Sequence, residues 1–293
     1  MPYVRVLSLS VLMLAATATW AQPKESPKGP KLPDGATVDR DVAYGSHERQ
    51  KLDVYMPKGD GPFPCLLWVH GGAWEGGSKE DGNPALGLLP HGYVVASTNY
   101  RLSKHAPFPA QIYDVKGAVR FLRANAKKYK IDPDRIGVAG ASAGGHLVAL
   151  LGTSGGVKEL EGDVGNTKVS SRVQCVIDFF GPTDLLKLSP PGSPANPVTR
   201  LLGGSTGEKK ELAGKADPIK YASKDDPPFL IVHGDKDPLV PLSQSELLQE
   251  ALKKAAVDST LTVVPGAGHG NGVFTPELVK EYVEFLDKHL KKK

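Results

Sequence analysis

Two spacings of apolar residues alternate along the chain. Cys65-Leu66-Leu67-Trp68-Val69 is an unbroken apolar run, the pattern of a strand buried on both faces. Shorter runs at Tyr93 to Thr98, Ile136 to Ala139, Val173 to Phe180, Phe229 to Val232 and Leu261 to Val264 also read as strands. Between them the spacing changes to three and four. Ala110 to Tyr129 puts Ile112, Val115, Ala118, Val119 and Leu122 on one helical face. Further helices read from just after Ser142 to about Leu151 and from Ser243 to Ala256. A last one starts at Thr275, with Pro276 in its first position and an apolar face of Leu278, Val279, Tyr282, Val283, Phe285 and Leu286. Ahead of all these, Thr37 to Tyr44 and Gln50 to Tyr55 alternate around Gly45-Ser46-His47-Glu48, which predicts a β-hairpin. Asp132-Pro133-Asp134 reads as a turn.

After the hairpin, strands and helices take turns. That order predicts an α/β fold, an open and mostly parallel sheet with helices on both faces. One catalytic domain is expected over residues 37–293. Gly152 to Ser171 reads as a surface loop. Pro182 to Pro228 is too long for a plain connection, so residues 182–228 are expected to form an insertion of short helices over the strand ends. In such sheets chemistry gathers at the carboxyl ends of the strands, and the unusual loops of this chain fall there.

Composition changes this picture little. At 40% hydrophobic and 23% charged it is that of a globular protein. The net charge of +4 is modest for 293 residues, and no basic stretch is interleaved with aromatics, so nucleic acid is not an expected partner. Lys291-Lys292-Lys293 reads as a solvated end. The start of the chain matters more. Arg5, the apolar Val6 to Ala18 and the small-residue sites Ala16-Thr17-Ala18 or Thr19-Trp20-Ala21 read as a signal peptide over residues 1–21. The apolar run is too short for a membrane anchor, so a secreted or periplasmic protein is expected. Residues 22–36, rich in Pro, Lys and Gly, read as a disordered lead-in. Oligomeric state is left open.

Three stretches fit G-x-S-x-G, as a chain with 33 Gly allows. They centre on Ser142, Ser154 and Ser205. Ser154 follows a helical run and Ser205 lies in a loop, where it suits a helix cap. Only Ser142 has a strand before it and a helix after it, the setting in which a strained turn exposes a nucleophile. Such a serine needs a base, and the base needs an orienting acid, in the chain order Ser, Asp or Glu, His. His269 lies in the glycine-rich loop after the last strand. Asp235 and Asp237 both follow the strand before it. Asp237 is favoured, because Asp235 sits closer to the strand end and suits a bond to the turn's own backbone. His233 suits loop backbone, and His146, on the helix after Ser142, suits packing. The oxyanion of acyl transfer needs donors. The N–H groups of Ala143, Gly72 and Ala73 are the candidates, the last two in His70-Gly71-Gly72-Ala73-Trp74 at a strand end, with His70 bracing the loop. The sequence carries no Cys cluster, no H-E-x-x-H and no phosphate loop. The chemistry needs no cofactor.

With these motifs in order, the chain resembles the α/β-hydrolase superfamily over roughly Asp41 to Leu290. Gln50 to Pro57, Asn99-Tyr100-Arg101-Leu102, Phe108-Pro109-Ala110-Gln111 and Asp178-Phe179-Phe180-Gly181-Pro182-Thr183-Asp184 resemble the branch that includes bifunctional acetylxylan/feruloyl esterases. The resemblance implies an eight-stranded sheet and serine hydrolysis of carboxylic esters, commonly acetyl or feruloyl groups on plant polysaccharide. It also implies that the Ser142 strand lies between those bearing Cys65 and Cys175. Two strand steps span about 9.6 Å, beyond the reach of a disulfide, so two buried free thiols are expected. Ala73 stands where related lipases usually carry a third glycine, which trims room for a bulky substrate group. Kynurenine formamidases share H-G-G-x-W, which keeps an arylformamide substrate open. A prolyl-oligopeptidase-type peptidase would need a further domain. A catalytically inactive hydrolase fold that only binds is the reading from another class.

Overall fold

The computed structural model describes residues 32–81 and 84–291. The signal peptide expected over 1–21, most of the 22–36 lead-in and the last two lysines lie outside the described residues. The strands are β1 (Thr37–Ala43), β2 (Lys51–Met56), β3 (Phe63–Val69), β4 (Val94–Thr98), β5 (Ile131–Ala141), β6 (Val176–Phe179), β7 (Phe229–Gly234) and β8 (Ser259–Val264). They form one sheet in the order β1-β2-β4-β3-β5-β6-β7-β8. β2 is antiparallel to β1 and β4, and every other pair is parallel.

The helices are α1 (Ala110–Ala124), α2 (Ala143–Thr153), α3 (Lys158–Glu161), α4 (Leu185–Leu188), α5 (Pro197–Leu202), α6 (Lys210–Ala216), α7 (Ser243–Lys254) and α8 (Pro276–Leu290). They cover both faces. Side chains on a strand point alternately to the two faces. Cys65, Leu67 and Val69 therefore pack with α1, α2 and α7, while Leu66 and Trp68 pack with Tyr282, Leu286 and Leu290 of α8. A strand covered on both sides needs an apolar residue at every position, which is why β3 shows no polar break. Leu67 is fully buried, and truncating such a side chain to Ala costs about 2–5 kcal/mol.

Several boundaries differ from those the pattern predicts. α1 ends at Ala124 rather than Tyr129, because Asn125 takes the cap and its amide donates to the Phe121 carbonyl. Asp132-Pro133-Asp134 does not break the chain; it lies inside β5. Its turn chemistry survives, since the Asp132 carboxylate accepts from Asp134 N–H at 3.1 Å and pairs with Arg135 at 2.7 Å. The pairing of β5 with β3 slips in register there, between Phe63 and Cys65. β6 starts three residues later than Val173, although Gln174 N–H already reaches the Ile136 carbonyl. The stretch from Glu75 to Pro90, unassigned by periodicity, holds a 3-10 helix over Pro84–His91 whose Ala85, Leu88 and Leu89 are buried on the α8 face.

Residues 182–228 fold as α4, α5, α6 and a 3-10 turn at Pro218–Tyr221. Asn196 caps α5 in a reciprocal capping box, with Pro197 at its first position. Cys65 and Cys175 are free and buried, with β5 between β3 and the start of β6. Burial pushes the Cys65 thiol up to about 12 and raises that of Cys175 too, which leaves both unreactive.

Candidate active site

β5 delivers Ser142 at the turn into α2. The residue has φ 56° and ψ −119°, a region that a side chain disfavours. Its backbone is pinned on both sides: its N–H donates to the Phe179 carbonyl at 2.8 Å, and its carbonyl accepts from His146 N–H at 3.0 Å. Its hydroxyl caps nothing on the helix. The small residues around it are a steric need. A Cβ on Gly140 would stand 2.5 Å from the Gly144 carbonyl oxygen, and one on Gly144 would collide with the Val69 carbonyl.

The two rival serines are used otherwise. Ser154 is buried at the end of α2, where its hydroxyl donates to the Leu150 carbonyl. Ser205 opens the turn before α6 and exchanges hydrogen bonds with Glu208.

At the ends of β7 and β8, Asp237 meets His269. The Asp237 Oδ2 accepts from His269 Nδ1 at 2.7 Å, and its Oδ1 accepts from the N–H groups of Leu239 and Val240 at 2.8 and 2.9 Å. Burial alone would raise the pKa of this carboxyl. The hydrogen bonds from Val240, His269 and Leu239 outweigh it and hold the group below the usual carboxylate range. A carboxylate only accepts, so Nδ1 carries the imidazole proton and Nε2 is left as an acceptor. Asp235, exposed beside it, accepts from Gly266 N–H at 2.7 Å and pins the turn after β8. His233 is fully buried and donates through Nε2 to the Val240 carbonyl, while Nδ1 accepts from Ser245.

Phe180 stands next to both halves of the site. Its ring meets His269 edge-on at 4.7 Å, and the residue before it holds Ser142 N–H. Among the described residues no hydrogen bond closes between the Ser142 hydroxyl and His269 Nε2. Such bonds commonly tighten only with substrate in place.

The loop after β3 bends sharply. Gly72, Ala73 and Trp74 have φ of 103°, 56° and 59° in succession. Glu75 N–H and Gly76 N–H both return to the Gly72 carbonyl at 2.9 Å. The N–H groups of Gly72 and Ala73 have no acceptor among the described residues, and neither does that of Ala143. The loop presses on the turn at Ser142: a Cβ on Gly71 would stand 2.9 Å from the Ala141 carbonyl and 3.4 Å from Ser142 Cβ.

His70 braces this loop, as its position suggests. Arg49 can only donate to His70 Nε2, so Nδ1–H donates to the Gly71 carbonyl at 2.7 Å. The ring stacks on Tyr100, whose hydroxyl donates to the His70 carbonyl. Burial lowers the pKa of His70 to about 4, so the ring is neutral.

A cleft of about 670 Å³ opens beside the loop, bordered by Trp68, His70, Gly71, Gly72, Ala141 and Phe274. Trp68 and Phe274 also line a separate apolar slot of about 50 Å³ against Ala139, Ile177, Phe179 and Tyr282. Among the described residues no group of three or more His, Cys, Asp or Glu is arranged to hold a metal ion. No helix among them is long and apolar enough to cross a membrane.

Sequence reasoning missed Phe180 and Phe274 as site residues, and it gave His146 no partner. Phe180 had a signal, a second aromatic directly beyond a strand end. Phe274, in a loop, had none.

Comparison with known proteins bears on this arrangement. The BD-FAE family model matches residues 52–252, a stretch that ends before His269. Esterase LipC of Mycobacterium tuberculosis is 34% identical over 239 residues, covering 79% of this chain and 59% of LipC. The chain thus spans little more than half the length of this curated relative. A truncated carbohydrate esterase from gut microbiota is 36% identical with a TM-score of 0.84, covering 90% of this chain and all of that one. An acetyl ester-xyloside bifunctional hydrolase from Caldicellulosiruptor lactoaceticus is 31% identical with a TM-score of 0.69, covering 81% of this chain and 86% of its own.

Proposed function

The chain belongs to the BD-FAE family, and from that premise we propose that it is a carboxylic ester hydrolase working through a serine acyl-enzyme. The observation that carries the proposal is the 2.7 Å bond between Asp237 and His269, made past the ends of β7 and β8 on the same edge of the sheet as the β5 end, where Ser142 takes a positive φ.

In this mechanism His269 Nε2 takes the Ser142 proton as Oγ attacks the ester carbonyl carbon. The carbonyl π electrons move onto oxygen, which the N–H groups of Gly72, Ala73 and Ala143 receive. Asp237 stays ionised, fixes the imidazole tautomer and faces the imidazolium that forms. The tetrahedral intermediate then expels the alcohol, which takes the proton from Nε2. Water repeats the sequence on the acyl-enzyme: Nε2 takes one proton, hydroxide adds to the acyl carbon, and Ser142 leaves with that proton as the carboxylic acid departs. No cofactor enters.

The substrate we propose is a short acyl or aryl ester, with acetyl groups on plant polysaccharide as the leading candidate. The carbohydrate esterase and the acetyl ester-xyloside bifunctional hydrolase among the similar structures support it. Export through the signal peptide at 1–21 completes the proposal, and N-terminal sequencing of the mature protein checks it.

The test is direct. A phosphonate ester should label Ser142, and Ser142→Ala should abolish turnover of p-nitrophenyl acetate. Labelling at another residue, or full turnover by Ser142→Ala, refutes the serine mechanism. A parallel screen of acetylated xylan, methyl ferulate and N-formylkynurenine separates acetyl, feruloyl and arylformamide substrates.

A further inference from the structure

His146 lies one turn into α2, among Leu147, Val148, Leu150 and Leu151, and is fully buried. Burying an imidazole costs several kcal/mol unless its nitrogens are bonded. Both are. Trp74 Nε1 lies 3.2 Å from His146 Nδ1. An indole N–H only donates, so Nδ1 accepts and Nε2 must carry the proton. Nε2–H then donates to the Ala216 carbonyl at 2.8 Å. The Trp74 and His146 rings also meet edge-on at 5.2 Å and 89°.

These three residues belong to three different parts of the chain. Trp74 is the third positive-φ residue in succession in the loop that carries Gly72 and Ala73. His146 sits on the helix that starts at Ser142. Ala216 ends α6, inside the 182–228 insertion. A second link joins the insertion to the same loop, because the Arg200 guanidinium of α5 pairs with the Glu75 carboxylate. The Trp74 carbonyl is held from the other side by Ser103 N–H at 2.8 Å and Ser103 Oγ at 3.1 Å.

We propose that His146 is a positioning residue. Through Trp74 it sets the distance between the Gly72–Ala73 N–H groups and the Ser142 turn, and through Ala216 it makes the insertion a fixed buttress of that loop. A leucine would fill the site as well as histidine does, so the imidazole's use here lies in its two hydrogen bonds. Burial lowers its pKa to about 4, so the neutral tautomer that both bonds require persists at neutral pH. The inference rests on the serine-hydrolase reading, since a misplaced oxyanion loop matters only to an enzyme that uses one.

The test compares His146→Leu, His146→Gln, Trp74→Phe and the double variant Trp74→Phe/His146→Leu on p-nitrophenyl acetate, with thermal midpoints recorded. A loop displaced by a fraction of an ångström to one ångström costs about 10- to 100-fold. His146→Leu and Trp74→Phe should each lose that much in kcat, with KM nearly unchanged and phosphonate labelling of Ser142 slowed in proportion. His146→Gln, whose amide can accept from Trp74 and donate to Ala216, should recover most of the loss. The double variant should be no worse than the poorer single one. The proposal is overturned if kcat per folded enzyme stays within twofold, if the two singles add in full, or if Gln behaves like Leu. Ser142→Ala in the same assay separates the two readings: turnover there at the parent's rate refutes the serine mechanism itself, whereas a small residual rate from the oxyanion donors alone does not. Loss there with full activity in His146→Leu and Trp74→Phe refutes only the role of His146.

Discussion

Asp237→Asn exchanges one oxygen for nitrogen and reverses the proton pattern of the site. The carboxylate accepts three hydrogen bonds, two from the Leu239 and Val240 N–H groups and one from His269. Asparagine has one oxygen to share among them. Two backbone donors, one in an exposed bond and one in a part-buried bond, converge on a single atom and compete against one imidazole, so the oxygen goes to the backbone. The amide NH₂ then faces His269 Nδ1 across 2.7 Å. Two donors cannot share that distance, so the imidazole proton moves to Nε2. In the proposed mechanism His269 would then present N–H to Ser142, with no lone pair with which to take a proton. The same change in another serine triad lowers kcat about 10⁴-fold, which is about 5 kcal/mol of barrier. We expect a fall of that order on p-nitrophenyl acetate at neutral pH, with a far smaller change in KM. Because the bonds to Leu239 and Val240 survive, the thermal midpoint should hardly move. Asp235→Asn is the control. Its amide oxygen can still serve Gly266 N–H, so activity should stay within about tenfold. The assignment is refuted if Asp235→Asn falls as far as Asp237→Asn, or if Asp237→Asn keeps more than a tenth of the activity.

Gly144→Ala drives a methyl into the Val69 and His70 carbonyls; it should cost about 1–3 kcal/mol in urea unfolding, and an unchanged midpoint would contradict the close approach of β3 and α2. Ala73→Gly relieves a left-handed alanine, worth about 1 kcal/mol, and gives back about 0.4–1 kcal/mol through the freer unfolded chain. Its thermal midpoint should therefore stay near that of the parent, while larger acyl esters gain in kcat/KM relative to acetate; a loss of both stability and activity would count against the extra room. His70→Gln tests the buried neutral ring by pH. The pKa of His70 is lowered to about 4 in the fold against about 6.5 when unfolded. The unfolded chain therefore binds the extra proton between those values, and the parent loses up to about 3 kcal/mol as pH falls through that window. Glutamine carries no such proton, so the stability gap between parent and variant should narrow by that amount from pH 7 to pH 4, and a constant gap would refute the lowered pKa.

The sheet was legible because its information is local and periodic. β3 shows no polar break since both of its faces are covered, and α8 announces itself through Pro276 and an apolar face. The pairing of Asp237 with His269 was legible for another reason. Each lies in a glycine- or proline-rich loop directly after a strand, and the parallel sheet brings those loops to one edge. The braces were not legible. Arg49 reaches His70 across 21 positions, Trp74 reaches His146 across 72, and His146 reaches Ala216 across 70. A hydrogen bond between two side chains that far apart leaves no period in the sequence, and a histidine within an apolar helix looks the same whether it packs or tethers.

Backbone strain was hidden for a related reason. Residue identity flags a left-handed turn when the residue is glycine, asparagine or aspartate, yet Ala73, Trp74, Ser142 and Phe180 all have φ between 45° and 59°. Asp41, Lys130 and Ala256 share a positive φ elsewhere in the chain, but these four gather together. Ala73 and Trp74 follow β3, Ser142 follows β5 and Phe180 follows β6, and these three strands are neighbours in the sheet. Each residue with a side chain in that region costs about 1–3 kcal/mol, so surrounding structure must hold it there. The holders are visible: the Phe179 carbonyl for Ser142, Ser103 and His146 for Trp74, and Val232, whose carbonyl accepts from Phe180 N–H at 2.8 Å. Strain concentrated on one edge of the sheet, and fixed there by bonds from outside each loop, marks Ser142 apart from Ser154 and Ser205 on physical grounds that the G-x-S-x-G pattern alone does not contain.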